Sequence, residues 1–438
     1  MLSGRSSTDR RQIRHYQRVD DLQPNRLPRH LMPVLQDALA SRRATLLIGP
    51  RQSGKSTLAK EAIRSLPTAR YVTLDDRPTQ SAAAADPSTF VEQGGGPLVI
   101  DEVQRVPELV MAVKAVVDRS DKPGQFLLTG SADIQTLPTV ADALTGRVAV
   151  IELSPMSQGE LYGSGRMERF IDRAFDSWQG VRIDTDLGKN DYLARAVVGG
   201  FPEPALRLTE RQRQRWFDDY VTTLIDRDVF DIQRQIRTSE LRRLLSMTAA
   251  RSAQILNVHS LAADAQMAEA TTHRYLDILS KAFVMTTLSA WSNNRTTRAT
   301  HAPKLHVIDS GLLARLIGAS KERAAMQDGL AGPLLETFVA MEIRRQSEWS
   351  VDRPQLHHYR TRDGAEVDVV LEARDGRLVG LEVKAGATVT NRDFGALRQL
   401  QAKAGDRFRC GVVLYTGRET LPFGDRLWCV PMCALWEA

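Results

Sequence analysis

Cysteine is scarce in this 438-residue sequence: there are three, Cys410, Cys429 and Cys433, all near the C-terminus. So few thiols argue against a disulfide scaffold and point to a reducing compartment. Cys429 and Cys433 have no nearby Cys or His pair to complete a tetrahedral metal site, which leaves buried thiols as the reading. Long apolar runs are missing as well. None approaches the roughly 18–20 residues that a membrane span needs, so no membrane partner is expected and a cytoplasmic location is. Arg5, Arg10, Arg11, Arg14 and Arg18 are not followed by an apolar stretch, which excludes a secretory signal. Asp9, Asp20 and Asp21 count against an Arg-rich presequence. Residues 1–30, basic, polar and aperiodic, therefore read as a disordered tail. Internal repeats and long low-complexity segments are also lacking.

What is there suits a globular protein of two or three domains, with 42% hydrophobic and 26% charged residues. A net charge of +6 permits an acidic partner such as nucleic acid without demanding one. Over residues 31–155, short apolar runs at 45–48, 71–74, 98–100, 126–128 and 148–153 alternate with amphipathic stretches. Continuous apolar runs of this length, separated by helical segments, predict a buried parallel sheet with helices on both faces. Residues 156–190 are polar and Gly-bearing without a period, and read as a linker or lid. Residues 191–300 turn helical: Leu241, Leu244 and Leu245 recur at helix spacing, as do Tyr275, Ile278 and Leu279. Two short helices joined by a tight turn, around Ser260–Asp264 and from Glu269 onward, precede an apolar segment at 284–288. That order suits a winged helix-turn-helix. From 301 to 438 strands and helices mix again.

Gly49-Pro50-Arg51-Gln52-Ser53-Gly54-Lys55-Ser56 fits the phosphate-binding pattern G-x-x-x-x-G-K-[ST] at every position. Glycines let backbone N–H groups curl around phosphate oxygens, and the helix that follows offers its positive end. Lys55 would reach the β- and γ-phosphates of ATP, Ser56 would coordinate Mg2+, and Thr57 would meet the α-phosphate. The second half of the site is a buried strand ending in Asp101-Glu102. There Asp101 sits beside the magnesium and Glu102 orients and deprotonates water, which favours hydrolysis over mere binding. The strand after it ends in Thr129-Gly130-Ser131, whose hydroxyls suit a γ-phosphate sensor. Arg147 is a candidate arginine finger, in cis or in trans, and a trans role would require an oligomer. A surface cation is the plainer alternative for Arg147.

The combination of this loop with Ile100-Asp-Glu-Val-Gln-Arg-Val-Pro-Glu-Leu109, Leu128-Thr-Gly-Ser131 and Thr145-Gly-Arg-Val148 resembles a prokaryotic family of AAA-type ATPases. In that family an N-terminal ATPase domain is fused to a C-terminal domain of uncharacterised function. Gly199-Gly-Phe-Pro-Glu-Pro204, Arg227-Asp-Val229, Lys304-Leu-His-Val-Ile-Asp-Ser-Gly-Leu-Leu313 and Arg360-Thr-Arg-Asp-Gly-Ala-Glu-Val-Asp368 extend the similarity from about Arg29 to Leu400. The resemblance implies an ATP-binding, ATP-hydrolysing cytoplasmic protein, and leaves its task open.

Near the C-terminus, Asp368 followed by Glu382-Val-Lys384 resembles the Asp…Glu-x-Lys core of restriction-endonuclease-like folds, with Val367 standing where that core usually has Pro. The chemistry needs two carboxylates converging on a divalent metal and a lysine beside the attacking water. Strand periodicity puts Glu382 and Lys384 on one face. A three-residue loop, Arg374-Asp375-Gly376, would place Asp368 directly opposite Glu382, whereas a two-residue turn would pair it with Val383 and spoil the site. Glu336, in an apparent helix over 334–343, is a candidate third carboxylate for a second divalent metal. A solvated hairpin is the alternative.

In the middle region Arg207, Arg211, Arg213 and Arg215 precede Trp216, Arg242 and Arg243 follow, and Thr271, Thr272, His273 and Arg274 would start a recognition helix. The expected architecture is thus α/β: a P-loop parallel sheet, then a helical winged-helix region, then a smaller restriction-endonuclease-like domain. Three readings stand: an ATPase coupled to a module acting on duplex DNA, a nucleotide switch acting on a protein partner, and an ATP-gated metal-dependent nuclease.

Overall fold

The structure is a computed structural model that describes residues 27–437 apart from 65, 67, 94–95, 131–147, 164–166, 168, 229–235, 295, 297, 299–300 and 362. Among the described residues, five strands form an all-parallel sheet in the order β2-β3-β4-β1-β5. They are β1 (Ala44–Ile48), β2 (Arg70–Thr73), β3 (Leu98–Asp101), β4 (Phe126–Gly130) and β5 (Val148–Glu152). Each coincides with one of the five apolar runs. In β1, β3 and β4 the runs are continuous because successive side chains enter two different cores, whereas the edge strands β2 and β5 are largely half-buried. Leu46, Ile48, Leu98, Ile100, Phe126 and Leu128 meet the helices Arg77–Ala85, Pro87–Glu92 and Glu108–Arg119 on one face. Leu47, Val99, Leu127 and Ile151 meet Met32–Ser41 and Lys55–Ala62 on the other.

The rest of the chain is organised by a mixed nine-stranded sheet, β13-β14-β12-β11-β10-β9-β7-β8-β6. The helices Thr238–Ala250, Val258–Asp264 and Glu269–Lys281 are interleaved with β6 (Gln254–Ile255) and followed by β7 (Met285–Ala290) and β8 (Lys304–Val307). Strand β8 pairs antiparallel with both β7 and β6, so a boundary at residue 300 falls between paired strands. Local periodicity marks where the pattern changes and is blind to which strands pair across the change. The outer end of β7 then pairs parallel with β9 (Gln355–Arg360), through Ser289 opposite His357 and Ala290 opposite His358. That pairing fuses the three-stranded unit to β10 (Glu366–Glu372), β11 (Leu378–Lys384), β12 (Phe408–Tyr415), β13 (Leu421–Gly424) and β14 (Leu427–Pro431).

The 20-residue helix Asp328–Ser347 runs through the large core of this half. Leu334, Leu335, Phe338, Val339, Met341 and Ile343 are all buried, the all-round apolar character of an internal helix. Residues 156–190 are not a free linker or lid. They form the helices Gln158–Tyr162 and Phe170–Asp176, and Phe170, Phe175 and Trp178 lie in the same core. Helices this short hold too few turns to show a period among polar neighbours. Residues 1–26 lie outside the described residues, but Leu27 packs against Met156 and Leu161, and His30 is buried, so residues 27–30 belong to the fold and not to a tail.

The two halves touch on both faces of the parallel sheet. Phe283, in the left-handed region at φ 54°, joins the core of one face, and Trp349 packs against that of the other with its ring edge-on to His30 at 5.6 Å. Arg344 Nη2 donates to both oxygens of Glu152 at 3.0 and 2.9 Å, and the Gln158 N–H donates to Glu342 Oε2 at 2.9 Å.

Candidate functional site: a phosphate loop and a buried acid cluster

The loop between β1 and the helix Lys55–Ala62 opens at the carboxyl end of a central strand, where open parallel sheets bind ligands. Gly49 has φ 146°, and a Cβ there would lie 2.3 Å from the Leu153 carbonyl oxygen, so no other residue fits. Gly54, at φ 97°, turns the chain into the helix. Lys55 is 5% exposed, and its Nζ donates to the carbonyls of Gly49 at 2.9 Å and Pro50 at 2.8 Å. Ser53 is fully buried, Arg51 and Ser56 are half-buried, and Gln52 and Thr57 are exposed.

Asp101, at the end of β3, gathers three hydroxyl donors. Ser56 Oγ donates to its two oxygens at 2.9 and 3.0 Å, Tyr71 OH donates to Oδ2 at 2.6 Å, and Thr129 Oγ1 donates to Oδ1. Burial, and then the bond to Asp101, push the Tyr71 phenol far above its ordinary value, so it stays a donor. Ser56 and Asp101 bring hard oxygen donors together, which fits Mg2+ held with nucleotide phosphates. Glu102 follows in the left-handed region at φ 59°; its N–H donates to Thr129 Oγ1 at 3.2 Å and its carboxylate accepts from the Gln104 amide. Ser131 and Arg147 lie outside the described residues. The sequence reading missed Tyr71 and the turn of Thr129 toward Asp101. The β2–β3 register sets Thr73 opposite Asp101 and Tyr71 opposite Val99, two residues back on the same face, from where the Tyr71 hydroxyl reaches the acid; that register is not written in either strand alone.

The C-terminal hairpin has the register that brings its acids together. Val369 pairs with Leu381, Leu371 with Val379 and Glu372 with Leu378, which sets Asp368 opposite Glu382. The loop is the three residues Arg374-Asp375-Gly376, closed by Ala373 N–H to Arg377 O at 2.9 Å, with Gly376 at φ 88°. Glu336 comes in from the long helix. The cation among them, however, is Lys304, at the start of β8 and 1% exposed. Its Nζ donates to Glu336 at 2.7 Å and Asp368 at 2.9 Å, and pairs with Glu366. Burial works to lower the Lys304 pKa, and Asp368, Glu336 and Glu366 together overcome it and hold the ammonium charged. Lys304 is the residue that the sequence reading did not foresee here.

Asp368 Oδ2 also accepts the Val383 N–H at 2.9 Å. Lys384 donates to Glu382 Oε1 at 2.9 Å, while Glu382 Oε2 is buried with no hydrogen-bond partner among the described residues. Burial, then the nearby Asp368 charge, push the Glu382 carboxyl up to about 8, against the pull of Lys384. Among the described residues no three or more His, Cys, Asp or Glu side chains are arranged to hold a metal ion. Lys304 fills the position where the acids converge, so a second divalent metal does not fit this arrangement.

In the middle region several basic side chains already have partners. Arg242 donates to both oxygens of Asp226 at 2.9 and 3.0 Å, and Arg213 to the Pro204 and Leu208 carbonyls. Thr272 is buried and bonds the Ala268 carbonyl, so it is not part of an outward face. Arg207, Arg211, Arg215, Arg243, His273 and Arg274 are exposed. No helix among the described residues is long and apolar enough to cross a membrane.

Comparison with known proteins divides the chain in three. An AAA domain model matches residues 41–162, and two models for domains of unknown function, DUF8612 and DUF4143, match 189–323 and 331–435. The uncharacterized proteins Rv2008c of Mycobacterium tuberculosis and Mb2031c of Mycobacterium bovis are each 30% identical over 399 residues, covering 91% of this chain and 82% of theirs. Among solved structures, the Walker-type ATPase paby2304 of Pyrococcus abyssi is matched at a TM-score of 0.42 and 15% identity, over 68% of this chain and 99% of that one. A RuvB variant from Thermotoga maritima is matched at a TM-score of 0.25 and 19% identity, over 63% of this chain and 88% of that one.

Proposed function

The chain belongs to the family of these mycobacterial proteins, an AAA-type P-loop domain joined to two domains of unknown function, and on that premise we propose that it is a Mg2+-dependent ATP hydrolase. The observation that carries the reading is the meeting of Lys55, Ser56, Asp101 and Thr129 at the carboxyl ends of β1, β3 and β4. Lys55, now bonded to the loop's own carbonyls, exchanges them for the β- and γ-phosphates. Ser56 and Asp101 would hold Mg2+, which would supply charge neutralisation on the phosphate oxygens, and Glu102 would orient and deprotonate the attacking water. Steady-state MgATP hydrolysis tests this. Lys55→Ala is expected to lose nucleotide binding, and Glu102→Gln to bind ATP normally and hydrolyse it on the order of 100-fold more slowly, the scale of one general base. Normal turnover by Glu102→Gln would remove the water-activating role from that residue.

For the second half, the leading reading is a nucleic-acid-associated module. Its support is the order helix, β6, helix, helix, β7, β8, which is that of a winged helix, with His273 and Arg274 exposed on its third helix. The ion pairing of Lys304 favours a version that does not cleave, whose hairpin resembles a nuclease core without working as one. A switch acting on a protein partner is the other reading, supported by the mixed charge of the same exposed helix face, which also carries Glu269 and Asp277. Hydrolysis measured with and without duplex DNA separates the two: stimulation that fades with salt supports the first, and an unchanged rate the second.

A further inference from the structure

Arg29 lies in a segment whose sequence reads as tail, yet its side chain is 12% exposed and fully engaged. Nη1 donates to the Ser53 carbonyl at 2.7 Å, Nη2 to the Ser154 carbonyl at 2.7 Å, and Nε to Glu160 Oε1 at 3.1 Å. Glu160, itself 1% exposed at the side chain, also accepts the His30 N–H at 2.6 Å and the Ser157 N–H at 2.9 Å. One planar guanidinium therefore ties three pieces of chain together: the phosphate loop, the exit from β5, and the first helix beyond it.

The bond to Ser53 has a directional consequence. A trans peptide is planar, so the carbonyl of Ser53 and the N–H of Gly54 point in opposite directions. Drawing that carbonyl toward Arg29 turns the Gly54 N–H away from Arg29, the direction in which the P-loop reading puts the phosphates. Gly54 sits at φ 97°, a conformation open to glycine on either side of the peptide flip, so the local sequence does not by itself hold the plane. An ionised donor bonded to a carbonyl is the stronger kind of hydrogen bond, and three fixed contacts leave the fork little freedom.

We propose that Arg29 is a positioning residue for nucleotide: it holds the Ser53–Gly54 peptide in the orientation that presents the Gly54 N–H to a nucleotide phosphate. Through Glu160 and Ser154 it makes that orientation depend on the segment leading into the C-terminal half. The same segment reaches the long helix through the Gln158 N–H to Glu342. This rests on the ATP-binding reading above.

The test is equilibrium binding of a fluorescent ATP analogue, with Mg2+, to full-length wild type, Arg29→Ala and Arg29→Lys, alongside thermal melting of each. Arg29→Ala is expected to bind about 10-fold or more weakly, the scale of one lost hydrogen bond to a charged group. Arg29→Lys should recover part of the loss, and millimolar methylguanidinium should restore binding in Arg29→Ala and leave wild type unchanged. Equal affinity in wild type and Arg29→Ala overturns the proposal. So does weakened binding that neither Arg29→Lys nor methylguanidinium restores, because the residue then acts only through folding. Wild type that binds no nucleotide sinks the ATP reading and this proposal with it, an outcome distinct from the other two.

Discussion

Replacing Lys304 by methionine removes a buried charge while keeping an unbranched apolar side chain of similar reach. In the native protein the ammonium is enclosed by Glu336, Glu366 and Asp368, and Glu336 is already pushed well above its ordinary value by burial and by Asp368. Without Lys304 the acids face one another in a dry site. Breaking a buried ion pair by deleting one partner costs about 3–5 kcal/mol at neutral pH. For a cooperative unit of this size each kcal/mol is about 2–4 °C in Tm, so a drop of about 6–20 °C is expected. The cost has a pH signature. Lys304 pulls the raised Glu336 carboxyl down, so its loss raises that carboxyl further, and Glu336 is then protonated without penalty in acid. That relief is lost as pH rises through its raised folded value, so the deficit against wild type should grow from pH 5 to pH 8. Thermal or urea melting of both proteins at pH 5, 6.5 and 8 measures it. A deficit near zero, or one that does not change with pH, would refute the argument that Lys304 is the cluster's counter-ion. Repeating the series with Mn2+ shows whether the vacated acids take up a divalent metal, which the wild-type arrangement does not favour.

Gly49→Ala should disable the loop while the parallel sheet stays folded, because the new Cβ meets the Leu153 carbonyl at 2.3 Å in a backbone at φ 146°. The expected readout is loss of MgATP binding by titration, with a native circular dichroism spectrum. Glu382→Gln should flatten the dependence of stability on pH. Because Glu382 is raised from 4.5 to about 8, it contributes stability that is complete below its unfolded value and lost as pH climbs toward 8. Urea midpoints of wild type and Glu382→Gln should therefore move apart in the mutant's favour between pH 5 and pH 8; parallel curves would mean that Glu382 is ordinarily ionised.

What could be read from the sequence was local. The central runs became β1, β3 and β4 because a strand buried on both faces must be apolar at every position, and that condition is visible without knowing the neighbours. The hairpin register was likewise legible, since three loop residues with glycine last decide which side chains face each other. Lys304 was not legible for the opposite reason. It lies 32 residues from Glu336 and 64 from Asp368, on a strand that reaches them through the pairing of β7 with β9. A lysine at the head of a short apolar strand reads as a surface residue until that pairing is known. Arg29 is a similar case: two of its three contacts are with main-chain carbonyls, which leave no mark in a sequence, and the third is with Glu160, 131 residues away.

Phe283 and Trp349 change what it means to call this chain modular. Three segments can be told apart by pattern and matched to separate domain models, as if each were an exchangeable part. Yet the AAA portion cut out alone would leave bare the places where Phe283 and Trp349 rest on its two faces, and it would lose the Arg344 partner of Glu152. The parts match separate domain models but are fitted to each other at these contacts. A hybrid that borrows its second half from a relative inherits a surface cut for different side chains, and would have to be recut at those contacts before it worked as one molecule.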